Sequence, residues 1–146
     1  MNLTFKKATD ADIDYLLWLR KETMNEHLAK SGLQVSDEEH LKRLMYQFDA
    51  ASIILYNGEQ IGLLKLIESE GYKEIVQIQI EPAWQGKGLG AKVIETVIRE
   101  ANQTDVFLKL SVLKENKAKR LYERLGFKTV SEDEHSFYME YHSNNN

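Results

Sequence analysis

The segment Ile78-Gln79-Ile80-Glu81-Pro82-Ala83-Trp84-Gln85-Gly86-Lys87-Gly88-Leu89-Gly90 decides how the rest of the chain is read. Apolar residues alternate at Val76, Ile78 and Ile80, which predicts a strand over 74–80. Three glycines at alternate positions follow, and Leu89, Val93, Ile94, Val97, Ile98 and Ala101 then recur as one apolar helical face. Glycine lacks Cβ, so the backbone can turn tightly and come close to a ligand. The first N–H groups of a helix have no partner inside it, and the helix dipole places partial positive charge there. Together these features predict an anion seat, best suited to phosphate or pyrophosphate, with Lys87 adding a cation at its edge.

Known phosphate loops separate by spacing. The P-loop requires Gly-Lys-Ser/Thr after four intervening residues, but Gly88 is followed by Leu89. The dinucleotide fingerprint G-x-G-x-x-G is also missed, since the spacing here is G-x-G-x-G. Gln/Arg-x-x-Gly-x-Gly/Ala is satisfied by Gln85, Gly88 and Gly90. The competing reading is a glycine turn that only packs helix against sheet. A second constellation follows a strand predicted over 106–112. Asn116 stands near a helix start and Tyr122 lies six residues on, close to two turns. An amide there can hold a ligand's polar arm while the phenol reaches its reactive end; the alternative is an N-cap asparagine and a half-buried core tyrosine.

Working outward, residues 3–5 suit a short strand, and Thr9 or Asp10 can cap a helix bearing Ile13, Leu16, Leu17, Met24 and Leu28 on one stripe. Arg20 and His27 fall on that stripe. Ser36 and Glu39 form a capping box before a second helix, with Leu41, Leu44, Met45 and Phe48 facing one way. Asn57-Gly58 joins strands over 53–56 and 61–67 as a hairpin. Gly126 ends a helix over 116–125, and strands over 127–130 and 137–141 close the chain. The order is β-α-α-β-β-β-α-β-α-β-β, an α/β chain with a mixed sheet.

The 146 residues, 42% hydrophobic and 29% charged, suit one domain, expected over 1–142 with a frayed polar tail at 143–146. Lys plus Arg is 19 and Asp plus Glu is 23, so the net charge is −4, a poor default for binding nucleic acid or anionic membrane. With no cysteine, disulfides, thiolate zinc sites and cysteine nucleophiles are excluded. His40, His135 and His142 show no metal-ligand spacing, and no metal is expected. No apolar run approaches the roughly 18 residues of a membrane span. The N-terminus does not read as a signal peptide, so a cytoplasmic location is expected.

On the glycine loop and the Asn116–Tyr122 pair, the chain resembles the GNAT superfamily of acetyl-CoA-dependent N-acetyltransferases. The resemblance implies a splayed, mostly antiparallel sheet of about seven strands flanked by about four helices. It implies acetyl-CoA as cosubstrate: the pantetheine arm along Ile78, Gln79 and Ile80, the pyrophosphate on Gln85, Gly86, Lys87, Gly88, Leu89 and Gly90, and Asn116 against the pantetheine. It makes Tyr122 the general acid for the departing thiolate and Glu74 the general base. Some members carry a glutamate where this chain has Ser111. Lys117 and Gln85 stand where relatives often have proline and arginine.

Such chemistry must remove a proton from an ammonium of pKa near ~10. Glu74 can take it, directly or through a water, unless it is only a surface strand glutamate. A strand N–H can steady the oxyanion, and no covalent enzyme intermediate is needed. The expected reaction is direct transfer in a ternary complex to a primary amine of a small molecule. Transfer to a protein or peptide and a non-catalytic acyl-CoA-binding module are the alternatives, and the chain is expected to be a monomer or homodimer. For the acceptor pocket the candidates are Arg20, Thr23, His27 and Glu68. The bland alternatives are an ion pair of Arg20 with Glu26 or Asp49 and a structural His27. An Arg and a His in the pocket would suit an acceptor bearing a carboxylate or phosphate.

Overall fold

The computed structural model of the chain describes residues 2–30 and 35–143, with the side chains of all but 24–30. In chain order the elements are β1 (Leu3–Lys7), α1 (Ile13–Lys30), α2 (Asp37–Met45), β2 (Ala51–Tyr56), β3 (Glu59–Ser69), β4 (Tyr72–Ile80), α3 (Leu89–Gln103), β5 (Phe107–Leu113), α4 (Ala118–Arg124), β6 (Lys128–Glu132) and β7 (Ser136–Tyr141). One seven-stranded sheet runs β1-β2-β3-β4-β5-β7-β6. Only β4 and β5 pair in parallel among the described strands, so the sheet is mixed, as the element order predicts, and mostly antiparallel, as the resemblance implies.

Local signals act where the residues place them. Ser36 Oγ accepts the Glu39 N–H at 3.2 Å and starts α2. Thr9 caps a 3₁₀ turn ahead of α1, its N–H donating to Asp12 Oδ2 at 2.9 Å. Asn57 and Gly58 take φ of 52° and 86°, the two positive values that let β2 and β3 twist together without splaying.

Two apolar layers sandwich the sheet. On one face α3 sets Leu89, Val93, Ile94 and Val97 against Ile54, Ile61, Leu64 and Ile75. On the other, Leu16 and Leu19 of α1 and Leu44 of α2 cover Ile53 and Leu63. Here two sequence expectations are corrected. Leu19, outside the expected stripe, is buried along with Leu16 and Arg20 of that stripe, and α2 buries His40 and Leu44, while Leu41 and Met45 stay 40% and 41% exposed. Only one i, i+4 row of this short helix is covered, and the row through Leu41 and Met45 is turned about a further 100° away. No described helix is long and apolar enough to cross a membrane.

The feature that makes a site is the failure of β4 and β5 to stay together. They pair from Tyr72↔Phe107 to Ile75↔Leu110 and then part. At that point the β3–β4 register shifts, passing from Leu66↔Ile75 to Lys65↔Gln77, so Val76 is the extra residue of a bulge. A bulge bends its strand and strengthens the local twist. Beyond it, residues 77–80 hold β3 on one side and have no described strand on the other.

Candidate functional site

A cavity of about 340 Å³ opens in the splay. Residues 75–79 of β4 form one wall and residues 110–113 of β5 the other; Arg20, Arg43 and Tyr46 cover one end, and Asn116 and Tyr122 stand in it. A second cavity of about 220 Å³ lies on the α3 side and shares Ile78, Gln79, Asn116 and Tyr122 with the first. These four residues are therefore the partition between the two cavities.

Tyr122 is held there by α4. Its ring packs 5.9 Å from that of Phe127, and the residue is 7% exposed. Burial pushes the phenol up to about 12, so it keeps its proton across the neutral range. Its hydroxyl makes no hydrogen bond among the described residues. Asn116 Oδ1 accepts the Ala118 N–H at 2.9 Å, which is the capping role; its amide nitrogen is left for other work.

The glycine loop behaves as a donor surface. Gly86 and Gly88 take φ of 77° and 78°, a conformation other residues adopt at a cost. No main-chain N–H from residue 86 to 90 has an acceptor among the described residues. Gln85 Nε2 donates to the Ile80 carbonyl at 2.8 Å, tying the loop to the end of β4. A cavity of about 260 Å³ lies against the loop, closed by Trp84, Leu121 and Arg124. Sequence reasoning passes over Arg124, although it follows Leu121 by three residues and so shares its side of α4.

The remaining candidates divide. Arg20 lines the main cavity and is 3% exposed. Among the described residues no carboxylate, Asp49 included, lies within ion-pair distance of it, and its Nε donates to His40 Nδ1 at 3.1 Å. The side chains of Glu26 and His27 lie outside the described residues. Thr23 lines the cavity on the α3 side, with its hydroxyl given to the Leu19 carbonyl at 2.8 Å. Glu68 is set apart from the cleft: it lies near the far end of β3, 74% exposed and 3.2 Å from Lys73 Nζ, because β3 carries it past the bulge. Glu74 faces Lys109 across the β4–β5 pairing and lines a separate pocket of about 290 Å³ that shares Leu110 and Ser111 with the cleft. Among the described residues lining the cleft there is no carboxylate, and no described group of acidic and histidine side chains could hold a metal ion.

Two further buried residues are not among the sequence-derived candidates. His40 is 0% exposed and sits behind Arg20. Lys65, also 0% exposed, donates from Nζ to the Arg43, Leu44 and Tyr46 carbonyls at 3.3, 2.8 and 2.6 Å, closing the C-terminal end of α2.

Comparison with known proteins agrees with this geometry. The family model for the acetyltransferase (GNAT) domain matches residues 20–139. The structure resembles the PaiA N-acetyltransferase of Thermoplasma acidophilum in complex with coenzyme A, with TM-score 0.73 and 18% identity over 98% of this chain and 100% of that one. It resembles an acetyltransferase of Thermus thermophilus, with TM-score 0.76 and 19% identity over 96% of each chain. A third likeness is to the ribosomal-protein-S18-alanine N-acetyltransferase of Escherichia coli, with TM-score 0.71 and 17% identity over 99% of each chain. At such identities the likeness speaks for the fold. No curated protein matches the sequence.

Proposed function

Because the chain belongs to the GNAT acetyltransferase family, we propose that it moves the acetyl group of acetyl-CoA directly to a primary amine of a small molecule bound in the β4–β5 splay. The observation that carries this reading is the partition: Ile78, Gln79, Asn116 and Tyr122 line both cavities at once. A coenzyme arm entering on the α3 side and an acceptor entering under Arg20 would meet at the Tyr122 hydroxyl.

On this reading the pantetheine arm takes the free edge at Ile78, Gln79 and Ile80, with the Asn116 amide beside it. The unpaired N–H groups of residues 86–90, with Lys87 and Arg124 near, take the diphosphate. The amine nitrogen bonds to the acetyl carbon, and the carbon–sulfur bond breaks. Tyr122 gives the sulfur its proton as general acid, and the second proton lost by the attacking nitrogen restores the phenol. A main-chain N–H on the free edge of β4 steadies the oxyanion. Glu74 takes the ammonium proton through a water passing Ser111, which its pocket shares with the cleft along with Leu110. Cover by α1 and α2 over one end of the cavity favours a small acceptor over a protein.

The test is a panel of amino acids, polyamines, aminoglycosides and peptides, incubated with acetyl-CoA while free thiol and acetylated product are followed. Stoichiometric thiol and N-acetyl product from a small amine is the expected result. Release with peptides alone would move the acceptor to a protein. Coenzyme binding without release for any amine would make the chain a binding module.

A further inference from the structure

The end of the cleft away from the coenzyme has an unusual charge pattern. Arg20 is only 3% exposed, and its Nη1 has no hydrogen-bond partner among the described residues. The charge it feels most is another cation, Arg43, and burial with that neighbour pushes the guanidinium down to about 10. Lys65 adds a third cation and is itself lowered, by burial first and then by Arg20. A desolvated cation with no counter-charge among the described residues is expensive to keep. In the same cavity Gln79, 4% exposed, has both Nε2 and Oε1 buried and unpartnered, and the Oε1 of Gln77 is in the same condition. All three side chains line the cavity that Tyr122 lines.

Resting on the acetyl-transfer reading, we infer that the acceptor is a small amine that also carries a carboxylate, the carboxylate bound by Arg20 and Gln79 and the amine by amide oxygens of Gln77 and Gln79. The donors and acceptors fit the two ends of such a molecule. Arg20 Nη1 and Gln79 Nε2 donate to the anion, and the two Oε1 atoms accept from the amine. An amide oxygen carries no net charge, so it holds the amine while favouring the ammonium less than a carboxylate would. The arginines nearby oppose the ammonium further. The arrangement thus selects the free base that attacks. It also rejects polycations, which would meet Arg20 with no carboxylate among the described cleft residues to balance it, whereas Arg43 has Glu39 at 3.7 Å.

The decisive experiment compares kcat/KM for amino acids with kcat/KM for their own primary amides. The amide has the less basic amine, so reactivity alone favours it. We expect the acid to win by roughly 10- to 100-fold, the value of one charge-assisted buried contact. In Arg20→Gln the acid-to-amide ratio should fall toward one, mainly through KM. Gln79→Glu hands Arg20 an internal carboxylate; it should melt no lower than the wild type and lose the preference as well. This second variant keeps the test sharp if Arg20→Gln folds poorly. Acid and amide used equally by the wild type, or a ratio unchanged in Gln79→Glu, would overturn the inference while acetyl transfer stood. No thiol release with any amine, while acetyl-CoA still binds, would bring down both.

Discussion

Gly62→Ala is a one-methyl change that should injure both fold and site. Gly62 lies in β3 opposite Ile80, and a Cβ added there would stand 2.1 Å from the carbonyl oxygen of Gln79, where ordinary contact begins at 3.4 Å. The obstacle is backbone and cannot swing aside. The end of β4 would have to move off β3 by roughly 1 Å to restore contact distance. Overpacking of this kind costs about 1–3 kcal/mol. The same shift displaces Gln79 and Ile80, which line the cleft, and through the Gln85 Nε2 bond to the Ile80 carbonyl it pulls on the glycine loop. A misplacement of about 1 Å can cost ~10²-fold in rate. Urea titration should show a lower midpoint with an unchanged slope. Without urea, where the variant is still fully folded, kcat/KM for acetyl-CoA should drop about 100-fold. A variant as stable and as active as the wild type would refute the argument, because it would mean the β3–β4 spacing tolerates what the geometry forbids.

Tyr122→Phe removes only a hydroxyl with no described partner, so stability should change little while turnover falls by roughly 10²–10⁴-fold and acetyl-CoA affinity persists; undiminished turnover would take the acid role from Tyr122. Gly88→Ala meets nothing within 4 Å of the new Cβ, so its cost is the left-handed backbone alone, about 1–2 kcal/mol. Because that conformation aims the loop's N–H groups, calorimetry should show weaker acetyl-CoA binding in the folded variant, and equal affinity would count against the loop as the diphosphate site. Lys65 is lowered to about 8, by burial first and then by Arg20, against 10.5 for the free side chain. The unfolded chain therefore binds more protons between those values, and Lys65's contribution is greatest above pH 10.5 and is lost as the pH falls toward 8. The stability difference between wild type and Lys65→Met should grow by up to about 3 kcal/mol from pH 8 to 10.5 in paired urea titrations. A difference independent of pH would sink the assignment, since groups common to both proteins cancel.

What could be read in the sequence is what neighbours along the chain decide. The Asn57-Gly58 turn, the Ser36 cap, the glycine loop and the Asn116–Tyr122 helix each carry their own instructions within a few residues, and each stands in place. The order of eleven helices and strands follows from them. The splay was reachable only through the family resemblance, because nothing local distinguishes Val76 as a bulge. The clash that reserves position 62 for glycine is equally hidden, since the obstructing carbonyl comes from another strand. Alternation along β4 separates Gln77 and Gln79 from Val76, Ile78 and Ile80, but it does not say that α1 and α2 come down on the glutamine face.

Polar residues embedded in apolar patterns were the most informative and the hardest to interpret, and the structure supplies a way to sort them. Lys65 interrupts the apolar run of β3 and Arg20 the stripe of α1; both are buried cations, and the sequence offers no reason to treat them differently. Lys65 has three carbonyls at the end of α2, which also favour a positive charge by their dipoles, so the fold alone accounts for it. Among the described residues Arg20 has one histidine nitrogen, a cationic neighbour and a buried donor left over. Folding by itself would favour replacing such a group by a hydrophobic one, because the desolvation of a lone charge is not repaid. It lines the same cavity as Tyr122, and under the proposed carboxylate-bearing acceptor the missing compensation would come from the molecule that binds.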